Sequence, residues 1–113
     1  MKAFLICPVR GVDPELTRAH VDLLEKEGWQ VHWPPRDTDQ DDPVGLAICH
    51  QNREAIAASD RVFVAWDGKS TGSLFDLGMA FALNKPLSVL DAPSPTEHKS
   101  FQNMMRAWEN QDR

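Results

Sequence analysis

Residues 3–7 (Ala-Phe-Leu-Ile-Cys) form an unbroken apolar run that ends at Pro8. A strand with one wet face alternates apolar and polar side chains, so a strand without that alternation has to be covered on both faces. Such strands belong inside a parallel sheet. A second run of the same kind occupies residues 62–66 (Val-Phe-Val-Ala-Trp), and helical and strand patterns alternate along the rest of the chain. Strict alternation predicts an α/β protein, a three-layer sandwich of the flavodoxin-like or Rossmann-like type with right-handed crossovers.

Strands are expected at residues 2–7, 30–33, 61–66 and 87–90. Asp13 as cap, Pro14 at the first helical position and Gly28 past the end delimit a helix between the first two strands. Residues 34–43 are crowded with Pro and Asp and read as a loop, long enough to reach over a site. Asp42 and Pro43 repeat the cap signature ahead of a helix carrying Leu46, Cys49, Arg53, Ile56 and Ala57. Further helices are expected at 73–83 and 100–110, with a polar loop at 91–99. The sheet is expected to hold four to five parallel strands in the order 2-1-3-4, all in a single domain spanning 1–113. Ligands of such sheets sit beyond the carboxyl ends of the strands where the order reverses, which selects the loops at residues 8–13 and 67–72.

Those loops hold Arg10, Gly11, Asp67, Lys69, Ser70, Thr71, Gly72 and Ser73, with Asp76 one turn into the following helix. Amides at a helix N-terminus, hydroxyls and a guanidinium fork suit a phosphate or a sugar hydroxyl. Ser70 and Thr71 would also serve as helix caps and Arg10 as solvated surface; the convergence of two loops favours a pocket. Trp66 precedes the pocket loop, where stacking on a base and packing in the core are both open.

Composition narrows the partners. The net charge is −5, with 12 Lys and Arg against 17 Asp and Glu. Without a basic stripe, a nucleic acid polymer is not expected as a partner. Apolar runs are too short to span a bilayer and no signal-like segment opens the sequence, so a cytoplasmic location off the membrane is expected. Cys7 and Cys49 lack C-x-x-C spacing and sit in apolar segments, which favours buried thiols; a reactive Cys7 is the sharper alternative. His20 and His32 read as packing or surface residues, and His50 and His98 lack metal-ligand spacing. The acids Asp37, Asp39, Asp41 and Asp42 lack the Gly and terminal Glu of a calcium loop. No metal or cofactor is expected. A chain of 113 residues leaves roughly a third of its unfolded surface exposed, so a homodimer or higher homo-oligomer is expected.

The stretch at residues 52–86, NREAIAASDRVFVAWDGKSTGSLFDLGMAFALNKP, resembles the core signature of the nucleoside 2-deoxyribosyltransferases and the related deoxynucleoside monophosphate N-glycosidases. The opening FLICPVRG is similar as well: Pro8 is like the transferases, and Arg10-Gly11 like the phosphate-reading loop of the hydrolases. Asn103-Met104-Met105 followed by Trp108 resembles the transferase segment whose Asn enters a neighbouring subunit's site.

The resemblance implies cleavage or transfer at the N-glycosidic bond of a 2-deoxyribonucleoside or its 5′-monophosphate, through a covalent glycosyl-enzyme that water or a second base resolves. By position the nucleophile falls on Asp76, where the family has Glu, and the acid that supports the leaving base falls on Asn52. Asp67 is the candidate to replace that acid. The implied substrate-binding residues are Cys7, Pro8, Arg10, Gly11, Trp66, Ser70, Gly72 and Asn103. Asp is one methylene shorter than Glu, a retreat of about 1.5 Å, and Asn cannot transfer a proton near neutral pH. These two departures favour the alternative of a nucleotide-binding module without turnover; the intact Ser-x-Gly and Leu-Gly frame favours an enzyme. A receiver-like phospho-acceptor would need acids where Cys7, Pro8 and Val9 stand.

Overall fold

The computed structural model describes residues 1–111. Four strands, β1 (Lys2–Ile6), β2 (Gln30–His32), β3 (Arg61–Ala65) and β4 (Leu87–Asp91), form one sheet. All neighbours pair in parallel and the order is β2-β1-β3-β4. The helices are α1 (Glu15–Lys26), α2 (Pro34–Asp37), α3 (Leu46–Ala58), α4 (Thr71–Ala82) and α5 (Phe101–Gln111). Among the described residues no helix is long and apolar enough to cross a membrane.

The unbroken run at the start of the chain is explained by two separate cores. Phe4 and Ile6 join Ile56, Val62, Val64, Leu77, Leu87, Met105 and Trp108 in one cluster, while Ala3, Leu5 and Cys7 join Val21, Leu24, Val31, Trp33 and Phe63 in the other. Alternate residues of β1 therefore point to opposite faces and both faces are dry, as a period of two residues requires. The helices α3, α4 and α5 supply the first core, and α1 the second.

The segment at 34–43, expected to be a loop, contains the short helix α2. Pro34 and Pro35 occupy its first turn, where a missing N–H costs nothing. The Asp37 carboxylate accepts from the Trp33 amide at 2.8 Å and closes the turn from below. The cap expected at Asp42 and Pro43 also shifts: α3 starts at Leu46 behind Gly45, whose φ of 93° is one that glycine tolerates. Asp42 nonetheless reaches that helix, its carboxylate accepting from the amides of Val44 and Ile48.

Candidate functional site

The carboxyl ends of β1 and β3 open into a cavity of about 600 Å³, a size that suits a small organic ligand. Four pieces of chain wall it: the loop after β1 with Cys7, Pro8, Val9, Arg10 and Val12; Pro34 and Gln40 of the segment between β2 and α3; Gly45 with the N-terminal half of α3; and the loop after β3 with the first turns of α4. Gly68 in the second loop has a φ of 80°, and a Cβ there would come within 2.9 Å of Pro93. Only glycine lets the chain turn that tightly against the β4–α5 loop.

On α3 and α4 the residues facing inward recur at helical spacing. Asn52 and Ile56 are the buried residues of α3; Ser73, Asp76, Leu77 and Ala80 are those of α4. A carboxyl and an amide thus stand on stripes that apolar side chains would otherwise fill. Asp76 is 8% exposed and Asn52 5%. Asn52 Nδ2 donates to Asp76 Oδ2 across a long 3.5 Å. Burial drives the Asp76 carboxyl up to about 7, with the Asn52 amide pulling the other way. The reading of Asp76 as a solvated first-turn residue is thereby excluded, since a solvated carboxyl would be exposed.

Asp67 lines the same cavity but is exposed. What burial it has pushes its carboxyl up, yet the amides of Ser70 and Lys69, each 2.8 Å from Oδ1, outweigh that and leave it lowered. It is a carboxylate at neutral pH and accepts hydrogen bonds.

Ser70 caps α4: its Oγ accepts from the Ser73 amide at 3.2 Å and from the Ser73 hydroxyl at 3.0 Å. The capping alternative raised for Ser70 therefore holds for its hydroxyl, although the residue also lines the cavity. Thr71 and Gly72 follow it along the wall, and amides of a first helical turn have no intrahelical acceptor. Arg10 stands exposed at the rim without a carboxylate partner among the described residues. A helix N-terminus with an uncommitted guanidinium beside it can take an anion.

Other expected site residues lie elsewhere. Trp66 is core: its Nε1 donates to the Ser70 carbonyl at 3.0 Å and its ring meets Phe101 edge-on. Gly11 makes the turn after β1 at a φ of 72° and is not part of the cavity lining. Asn103 spends its amide within its own chain, accepting from the Thr96 amide at 2.9 Å and donating to the carbonyls of Thr96 and His98, both at 2.8 Å. It tethers the β4–α5 loop and is not in this cavity.

Cys7 is buried in the cavity floor, and burial pushes its thiol up to about 11 against hydrogen bonds involving Thr17 and Trp33. A thiol held protonated to that degree is a poor nucleophile. Cys49 is half-buried and raised as well, first by burial and then by Asp76 and Asp42. Among the described residues no three His, Cys, Asp or Glu gather as they would around a metal ion.

Ile48, Cys49 and Phe75 also line the cavity. Ile48 and Cys49 precede Asn52 by one helical turn, a spacing that would have found them. Thr38, by contrast, carried no signal. It is 4% exposed, beneath the cavity wall, and its Oγ1 donates to Asn52 Oδ1 at 2.7 Å.

A sheet of order 2-1-3-4 with a buried carboxyl beside a helix N-terminus narrows the ancestry, and comparison with known proteins completes it. No curated protein shows a significant match to the chain. The family model described as nucleoside 2-deoxyribosyltransferase matches residues 6–105, which include every wall of the cavity. The chain belongs to the nucleoside 2-deoxyribosyltransferase family.

Proposed function

We propose that the cavity cleaves or transfers at the N-glycosidic bond of a 2-deoxyribonucleoside or its 5′-monophosphate, with Asp76 as the attacking carboxylate. The observation that carries this is the burial of the Asp76 carboxyl in a cavity wall, with an amide as its neighbour and no cation paired to it among the described residues. Such a carboxyl is more basic than an exposed one, hence a stronger nucleophile once ionised. An Asp76 oxygen bonds to the anomeric carbon as the bond to the base breaks, with the electron pair leaving on the base. Water or a second base then displaces the carboxylate.

The remaining walls have supporting parts. Arg10 and the amides of Thr71 and Gly72 hold a 5′-phosphate, while ionised Asp67 accepts hydrogen bonds from the base or sugar. Val44, Leu46 and Phe75 are 84%, 63% and 57% exposed beside or in the cavity, apolar area that a second copy would cover. The proposal includes a cytoplasmic homo-oligomer, in which Asn103 holds the β4–α5 loop.

Incubation with deoxynucleosides and their monophosphates, with and without a free acceptor base, tests the reading. Release of base without acceptor defines a hydrolase, and exchange of base a transferase. Asn52, which has no proton to give a leaving base, favours a second reading, a nucleotide-binding module; tight binding of a monophosphate with no turnover would select it. Asp76→Glu combined with Asn52→Asp restores the family's residues and should raise activity if the backbone has not adapted to the shorter acid.

A further inference from the structure

The buried amide beside Asp76 is the end of a longer chain of hydrogen bonds. Thr38 Oγ1 stands 2.7 Å from Asn52 Oδ1 and 2.8 Å from His32 Nε2. A threonine hydroxyl has one proton to donate. If that proton goes to Asn52 Oδ1, then Thr38 must accept from His32, and His32 must carry its proton on Nε2. With its carbonyl oxygen held by Thr38, the Asn52 amide can turn only its Nδ2 towards Asp76 Oδ2, as observed.

From this geometry we infer that Thr38 and His32 are positioning residues for the reacting carboxyl: they lock the side-chain amide of Asn52 in the orientation that donates to Asp76. The inference rests on the reading of Asp76 as the reacting group. The alternative orientation would aim the Asn52 carbonyl oxygen at the carboxyl, repelling the carboxylate. The series does not conduct protons, because the amide N–H between hydroxyl and carboxyl is too weak an acid to release its proton.

The parts that hold the chain in place are all present. His32 stacks on Phe4 with centroids 5.2 Å apart and planes 8° from parallel. Burial lowers its pKa, with Asp37 opposing and Arg36 reinforcing, so the ring is neutral and one tautomer is selected by Thr38. Thr38 follows α2, which is anchored by the Asp37 carboxylate on Trp33 and by Arg36 on Glu25 and the Val31 carbonyl. Gln51 accepts from the Asp39 amide at 3.1 Å and fastens the same segment to α3. Buried polar groups need partners in any fold; what distinguishes a positioning role is the direction of every donor in the series.

The test is spectroscopic and needs no substrate. In the unmodified protein, nitrogen shifts should show His32 protonated on Nε2 and bare on Nδ1 at pH 8; the opposite tautomer would put the Thr38 proton on histidine and overturn the inference. Carboxyl-carbon titration of Asp76 is the second readout. Thr38→Val keeps the shape but frees the amide to flip, and should raise the Asp76 midpoint by about half a pH unit or more. Thr38→Ser should return it to the unmodified value. A folded Thr38→Val with an unmoved midpoint, or a Ser variant that behaves like Val, would overturn it. These shifts in a protein that turns over no deoxynucleoside would support the positioning role while removing the proposed function.

Discussion

Asp67 and Asp76 share one cavity and differ in almost everything that decides what a carboxyl can do. Asp67 sits in the loop after β3, exposed, with two backbone amides on one oxygen. Asp76 sits one turn into α4, on the stripe that faces the core, with one distant amide for company. Burial pushes the first up, but its hydrogen bonds together leave it below the ordinary carboxylate value, whereas burial lifts the second to about 7. Environment, not residue type, separates the roles. The exposed acid is a fixed negative acceptor; the buried one changes charge near neutral pH.

The sharpest way to break this comparison is to neutralise each acid in turn. Asp76→Asn should lower glycosidic turnover by about a thousandfold or more, as loss of a nucleophile does, with folding intact and ligand still bound in a calorimetric titration. Asp67→Asn should cost less than about tenfold, the scale of one exposed hydrogen bond. Equal losses would abolish the distinction.

Stability against pH separates the two acids without any substrate. The folded protein holds the Asp76 proton more tightly than the unfolded chain does. That contribution is complete below the ordinary value of 3.8 and is lost as pH rises to about 7. Above pH 7 the buried carboxylate costs on the order of 4 kcal/mol at most, from 1.36 kcal/mol per pH unit. Asp76→Asn should therefore stabilise the protein at pH 8 and give little gain at pH 3.5, read by denaturant unfolding. Asp67, held low, has the opposite sign: its contribution is present above 3.8 and fades as pH falls through its folded value. Asp67→Asn should slightly destabilise at pH 8.

The rim offers a smaller effect. If Arg10 and the start of α4 hold a phosphate, Arg10→Ala should weaken monophosphate binding by about ten- to a hundredfold, the loss of a charge-assisted hydrogen bond. Nucleoside binding should barely change. Equal affinity of the unmodified protein for both ligands would move the substrate towards free deoxynucleosides.

The pH profile of any activity in the unmodified protein sharpens the comparison further. If Asp76 attacks as a carboxylate, as proposed, kcat/KM should rise with pH through about 7 and level off above it. One unit below the midpoint the rate should be about a tenth of the plateau. A profile flat from pH 5 to 9 would mean that the reacting group is already ionised, as Asp67 is.

The sheet, its order and the two site loops were legible in the sequence because they follow from periodicity. An apolar run without alternation needs two covered faces, and the ends of β1 and β3 are where such a sheet leaves a crevice. The positions of Asp76 and Asn52 were legible through resemblance to the family. Their state was not, because a carboxyl's charge depends on how much water the tertiary structure leaves around it. Residues 34–43 escaped for a local reason, since two prolines that forbid a helix interior are tolerated in its first turn.

Thr38 escaped for a longer-range one. Its partners lie six residues before it in β2 and fourteen after it in α3. The angle at which α2 leaves the sheet decides whether they meet, and no local pattern encodes that angle. Asn103 shows the converse: its residue type and place were readable, but its amide is consumed by Thr96 and His98 once the loop folds back. Sequence alone determined which strands are buried and that the loops after β1 and β3 line one cavity, because burial and turn formation are properties of short segments. Tertiary structure alone decided which polar atoms face one another and how much water they keep, because hydrogen bonds and desolvation depend on segments far apart in the chain.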